Sequence, residues 1–227
     1  MSTPSTLADP VTHRIYIVDD HPLMRRGYRS LLEAEADLRV CGEAGTVGEA
    51  LAAIPHSSAD LVIVDITLGD QSGLDLIRHL LASQPDLPIL VVSMHDEVLY
   101  GERVLRAGAR GYLTKGVTDG DLVATVRVLL AGGHHLTPRM QARAVEQMAG
   151  RAAGAGEPAE SALADRELEV YELLGRGLST REVADVMRVS PKTVETYRGR
   201  IKSKLGLADS TELLHRAVRY AQERGLV

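Results

Sequence analysis

Five side chains among the first 115 residues could work together as a reactive centre: Asp19, Asp20, Asp65, Ser93 and Lys115. Carboxylates that share a pocket repel and raise one another's pKa unless a cation compensates. Two cations suit this set. A hard, oxygen-seeking Mg²⁺ could take Asp20, Asp65 and a backbone carbonyl while keeping several waters. Alternatively, Lys115 could pair with the acids from the end of another strand. A carboxylate held beside Mg²⁺ and a lysine can act as a nucleophile toward a phosphoryl group. The positive charges then stabilise the transferring oxygens, and the Ser93 hydroxyl is available to them. Taken singly, an aspartate after a strand is more often a turn or helix cap, a lysine a solvated charge, and a strand-end serine structural. The weight lies in the set.

The set needs elements that bring it together. Short apolar runs recur at Ile15–Val18, Leu61–Val64 and Ile89–Val92, with weaker ones near Leu38–Cys41 and Tyr112–Leu113. Between them, helical periodicity marks Leu23–Ala34, Val47–Ile54, Leu74–Leu81, Val98–Ala107 and Leu122–Leu130. Continuous runs such as LVIV read as strands buried on both faces, and their alternation with helices implies parallel βαβ units. The expected fold is an α/β doubly wound, parallel, five-stranded sheet. In that architecture a site forms at the carboxyl ends of the strands, where the strand order reverses. Asp19, Asp65, Ser93 and Lys115 each follow or close a different strand.

With those residues placed, a family resemblance becomes visible. Asp19-Asp20, Asp65, Ser93 and Lys115, spaced 45, 28 and 22 from Asp20 onward, resemble the receiver domain of a bacterial response regulator, a flavodoxin-like fold. The stretches SMHDE and LRAGARGYLTKG are similar to those of the NarL/FixJ subfamily. The resemblance spans about residues 13–132. It implies that Asp65 accepts phosphate from a sensor histidine kinase. It also implies that Asp20 and Asp65 bind Mg²⁺ (or Mn²⁺), with Asp19 assisting and the backbone carbonyl of Thr67 completing the set. Ser93 and Lys115 would bind the phosphoryl oxygens, and Tyr112 would be the aromatic that switches rotamer. One departure stands out. The family usually carries Pro four residues after the acceptor, where this chain has Gly69, although Gly73 is kept.

After residue 132 the pattern changes. Residues 133–160 are read as a linker, since GRAAGAGEPAESA (150–162) is rich in small residues and lacks apolar periodicity. Residues 161–227 read as short helices. Ser179 and Glu182 form a capping-box pattern, Asp209 starts a related one, and Ser190 precedes a proline at a first helical position. On the helix from Pro191, the residues Val194, Tyr197, Ile201 and Leu205 line one side. The polar side carries Lys192, Glu195, Thr196 and Gly199, flanked by Arg200 and Lys202. Between Arg188 and Lys204 there are six lysines and arginines against the single acid Glu195. Such a face is either a solvated charged surface or a major-groove reader. In the second case the basic groups meet phosphates, Thr196 touches a thymine methyl and Glu195 accepts from cytosine N4. Gly199 reflects either a close backbone approach or an unoptimised position.

Element order favours the reader: helices over about Asp165–Arg176 and Thr180–Met187 precede a short turn and the basic helix, a helix-turn-helix arrangement. The segment from Leu163 to Leu207 resembles the LuxR-type domain, a small all-α four-helix unit. The resemblance adds Thr193 and Arg198 to the DNA contacts. It also implies a homodimer when phosphorylated, through a fourth helix at about Thr211–Gln222 bearing Leu213, Leu214, Ala217 and Val218, which core packing would explain equally well. Ala164 replaces the usual threonine cap of the first helix.

Charge follows the same division. Residues 1–150 carry nineteen acids and thirteen bases, a net −6, whereas residues 151–227 are at +1. Apolar residues make up 44% and charged residues 25%, which excludes a disordered or fibrous chain. One cysteine, Cys41, excludes a disulfide framework, and no apolar run approaches the ~18 residues a membrane span needs. Neither a basic start nor an apolar core marks the first thirteen residues, so no secretion signal and a cytoplasmic location are expected. The overall expectation is a DNA-binding transcriptional regulator, not an enzyme. The alternatives are a phosphorylation-independent receiver and an aspartyl-phosphate phosphohydrolase. Phosphohydrolases of the haloacid-dehalogenase type need a carboxylate two residues beyond the nucleophile, where this chain has Thr67.

Overall fold

A computed structural model describes residues 12–69, 71–94, 97–116, 119–137, 140–141, 159–187 and 189–223. The chain divides into two compact units, one carrying the parallel sheet and the other the C-terminal helices.

The first unit alternates strands and helices as the apolar periodicity requires. Its strands are β1 (His13–Val18), β2 (Leu38–Ala44), β3 (Leu61–Val64), β4 (Thr67–Leu68), β6 (Ile89–Ser93) and β7 (Gly111–Thr114), while the intervening β5 (Gln71–Ser72) is grouped with the second unit. The helices are α1 (Pro22–Glu33), α2 (Val47–Ser57), α3 (Gly73–Ser83), α4 (Glu97–Ala107) and α5 (Asp119–Leu130). Five strands form one sheet in the order β2-β1-β3-β6-β7, and every pairing is parallel. The order reverses between β1 and β3, which places the crevice at the ends of those two strands.

Every residue of β3 and β6 is buried, which is why they read as unbroken apolar runs. Ile15, Ile17, Leu61, Ile63, Leu90 and Val92 pack with Tyr28 and Leu32 of α1 and Leu122, Val126 and Leu129 of α5. The alternate residues, among them Tyr16, Val62, Val64 and Val91, are equally buried and face the other helical layer. Two features escaped the sequence reading. Strands β4 and β5 pair in a small ribbon, and His135 bridges to Gly111 beside β7. Of the expected linker, most lies outside the described residues; its end forms a 3₁₀ turn at Ala159–Ala162.

The second unit holds α6 (Asp165–Gly175), α7 (Thr180–Met187), α8 (Pro191–Leu205) and α9 (Ser210–Glu223). Three of the four starts have a side-chain cap. Ser179 and Glu182 exchange backbone bonds at 2.8 and 3.4 Å, Ser190 Oγ accepts from Thr193 N–H at 3.1 Å, and Asp209 Oδ1 accepts from the Thr211 and Glu212 N–H groups. Val194, Ile201 and Leu205 of α8 are buried with Leu213 and Ala217 of α9, whereas Leu214 is exposed. Two of the four residues offered as a dimer surface are therefore core.

Candidate functional site

The carboxyl edge of the sheet gathers the residues that the spacing singled out. Asp19 follows β1 and Asp65 follows β3, the strands on either side of the topological switch. Their backbones are fixed there, with Asp19 N–H bonded to the Ala44 carbonyl at 3.1 Å and Asp65 N–H to that of Val18 at 2.9 Å. Both carboxylates are buried, Asp19 at 1% and Asp65 at 4% exposure. Lys115, just past β7, is anchored by its N–H on the Ser93 carbonyl at 2.7 Å. Its Nζ reaches Asp65 Oδ2 at 2.5 Å and Asp19 Oδ2 at 2.7 Å. Ser93 closes β6 at the same edge and is fully buried. Asp20 sits beside them, its side chain 19% exposed.

Burial pushes the Asp65 carboxyl up to about 6; the Lys115 ammonium opposes this and the Asp19 charge adds to it. Burial alone would lower the pKa of Lys115, but Asp65 and Asp19 more than offset it and leave it raised. One ammonium thus stands between two buried acids, and the pocket carries excess negative charge with Asp20 added.

A fourth potential ligand was missed in the sequence. His21 Nδ1 lies 2.6 Å from Asp20 Oδ1 and 3.4 Å from Asp19 Oδ1, and the His21 N–H donates to Asp19 Oδ1 at 2.8 Å. One ligand atom each from Asp19, Asp20, His21 and Asp65 lies within 4.8 Å of the others. Adjacency to Asp19-Asp20 was the signal available. Arg25, also unnoticed, donates from Nη1 to the Asp19 carbonyl at 2.5 Å and pairs with Glu43, bracing the loop.

The loop after Asp65 explains the departure at Gly69. That residue has φ +62°, which the proline ring, fixed near −65°, cannot adopt. The chain turns there between β4 and β5. Gly73 is needed for a different reason: a Cβ there would stand 2.0 Å from the Asp65 carbonyl oxygen. The Thr67 N–H donates to Asp65 Oδ1 at 3.3 Å. Tyr112 is buried and lines a cavity of about 320 Å³ with Thr125, Val128 and His135.

In the second unit, Lys192, Glu195, Thr196, Gly199 and Arg200 are exposed on α8, with Thr193, Arg198 and Lys202 half-buried. Among the described residues, Lys192, Arg200 and Lys202 make no ion pair. Arg198 instead pairs with Glu195 at 2.9 Å. Thr193 Oγ1 is spent on the Ser190 hydroxyl at 2.8 Å, and Thr196 Oγ1 on the Lys192 carbonyl at 3.0 Å. Arg188 lies outside the described residues.

A family model for the response regulator receiver domain matches residues 15–127, and one for bacterial regulatory proteins of the luxR family matches residues 161–217. The chain is 37% identical over 202 residues to the transcriptional regulatory protein UhpA of Salmonella typhimurium, spanning 89% of this chain and 96% of that protein. This chain belongs to the NarL/FixJ-type response regulators. The regulator is also 36% identical to the DNA-binding transcriptional activator DevR/DosR of Mycobacterium tuberculosis, over 88% of its own length and 91% of that protein. A LuxR-family two-component response regulator from Aurantimonas, solved as a crystal structure, superposes with TM-score 0.55 at 33% identity, over 61% of this chain and 99% of the other. A structure of the RcsB–DNA complex matches with TM-score 0.53 at 26% identity, over 90% of this regulator and 96% of RcsB. The regulator thus joins a receiver domain to a LuxR-type DNA-binding domain, and no described helix is long and apolar enough to cross a membrane.

Proposed function

We propose that this regulator is a phosphorylation-switched transcription factor whose acceptor is Asp65. The observation that carries the reading is the buried Asp65 carboxylate, bridged by Lys115 to Asp19 at the strand-order switch. A carboxylate oxygen of Asp65 attacks the phosphorus of a phosphohistidine on a sensor kinase. A P–O bond forms as the P–N bond breaks, and the electron pair returns to the imidazole, which takes up a proton. Lys115 and Ser93 then face the phosphoryl oxygens, and Tyr112 responds to the new charge.

The donor set fits a divalent ion. Asp19, Asp20 and Asp65 supply hard oxygens within 4.8 Å of one another, and the carbonyl of Thr67 would be the added ligand. Mg²⁺, or Mn²⁺, would neutralise charge on the phosphoryl oxygens. Without a cation beyond Lys115, the three acids oppose an approaching phosphate.

In the second domain, Lys192, Arg200 and Lys202 meet phosphates while Glu195 and Thr196 face base edges, with Thr193, Arg198 and Gly199 on the same helix. The likeness to RcsB in its complex with DNA, over 90% of this chain, supports double-stranded DNA as the partner. Phosphorylation favours a homodimer through Leu214 and Val218 of α9. The regulator acts in the cytoplasm and turns over no substrate of its own. Domain limits near 13–132 and 161–227 accompany this reading.

Incubation with acetyl phosphate and Mg²⁺ should label the wild type and leave Asp65→Ala unlabelled, with chelation abolishing the label. Label retained at another residue would end the assignment.

A further inference from the structure

We infer that Thr180, the first residue of α7, is a specificity-determining positioning residue that aims Glu195 at a base. Three side chains close a ring. The Thr180 hydroxyl donates to Glu195 Oε1 at 3.0 Å, Arg198 Nη1 donates to the same oxygen at 2.9 Å, and Arg198 Nη1 also donates to Thr180 Oγ1 at 2.6 Å. Glu195 is the sole acid on the polar face of α8, and its side chain is 57% exposed, whereas that of Arg198 is 19% exposed. An exposed glutamate normally samples many rotamers and loses that freedom on binding. Here one carboxylate oxygen is held from two helices, and Oε2 remains to accept from a donor such as cytosine N4–H.

The same ring sets limits on which bases Glu195 tolerates. A fixed acceptor repels guanine N7 and O6 and thymine O4, and its orientation decides between the cytosine N4–H and adenine N6–H donors, so orientation converts into discrimination. Arg198 acts through Glu195: its Nη1 is already engaged with both ring partners. Thr180 belongs to the helix before the reader yet determines what the reader sees. No other hydroxyl or acid among the described residues binds Glu195.

The inference rests on the DNA-binding reading above, and the test separates the two. The full-length regulator, treated with acetyl phosphate and Mg²⁺, is used to select duplexes from a random-sequence pool. Wild type, Thr180→Val, Thr180→Ser and Glu195→Gln are compared, with melting temperature as a folding control. Valine keeps the shape and removes the hydroxyl. Thr180→Val should relax one base preference per half-site by roughly two- to tenfold, the worth of one hydrogen bond. Thr180→Ser should restore the preference, Glu195→Gln should abolish it, and the salt slope should be unchanged in Thr180→Val. Full preference in Thr180→Val, alongside its loss in Glu195→Gln, would overturn the positioning role. Selection unaffected by Glu195→Gln would overturn the reader itself. Failure of the wild type to enrich any sequence would instead fall on the DNA-binding reading.

Discussion

Asp65 titrates unlike a surface aspartate, and the difference can be measured. Its pKa rises from an ordinary 3.8 to about 6 because burial outweighs Lys115. Between those values the folded chain holds a proton that the unfolded chain has released. This group therefore weakens the fold progressively as pH rises through that window, and fully so above it. In chelator, Asp65→Asn should be more stable than the wild type at pH 7.5 by about 1–3 kcal/mol. Urea midpoints should show the gap closing toward pH 4; a gap independent of pH would contradict the burial argument. At Gly199 open space surrounds the place of a Cβ. Gly199→Ala should thus stabilise α8 by about 0.5–1 kcal/mol while weakening DNA binding, if backbone approach is why glycine stands there. Equal affinity in both proteins would leave only an unoptimised helix position. The convergence of Asp19, Asp65, Ser93 and Lys115 was legible because each sits where a strand ends. His21 was not, since a histidine has no period and its role depends on the turn that folds it back onto Asp20.

Helix α6 shows how an element survives a missing signal. Ala164 offers no side-chain acceptor at its start, yet the Glu167 carboxylate accepts from the Ala164 N–H at 2.8 Å and from Lys204 Nζ of α8 at 2.6 Å. Glu167 is buried at 3% exposure, so the cap is also a tie between two helices. Ala164→Ser should add about 0.5–1 kcal/mol by supplying the absent half of the capping box. Thermal melting checks this, and an unchanged or lowered melting temperature would show that Glu167 already satisfies the helix start. Most helix boundaries were readable within a few residues because capping residues at Ser179, Ser190 and Asp209 carry the information locally. Strands β4 and β5 were not, being two residues each and set by the turn at Gly69. Thr180 and Arg198 escaped notice as a unit because their link runs between helices fifteen or more residues apart.

Across the whole molecule, the proposed switch requires occupancy of one buried carboxylate to govern a helix in the second compact unit. A phosphoryl group can do this only by favouring one of two pre-existing states, so its effect equals the difference in its contacts between them. Couplings of this kind are worth about 1–3 kcal/mol, or roughly 5–150-fold in affinity. Charge is divided between the two parts of the chain, with residues 1–150 at a net −6 and α8 carrying a run of lysines and arginines. The deciding measurement is the affinity of the full-length regulator for a duplex selected from a random pool, at fixed salt, before and after acetyl phosphate with Mg²⁺. The wild type should tighten by roughly tenfold, within that coupling range, and Asp65→Ala should not respond. Tightening of equal size in Asp65→Ala, or a labelled wild type whose affinity does not change, would contradict the account.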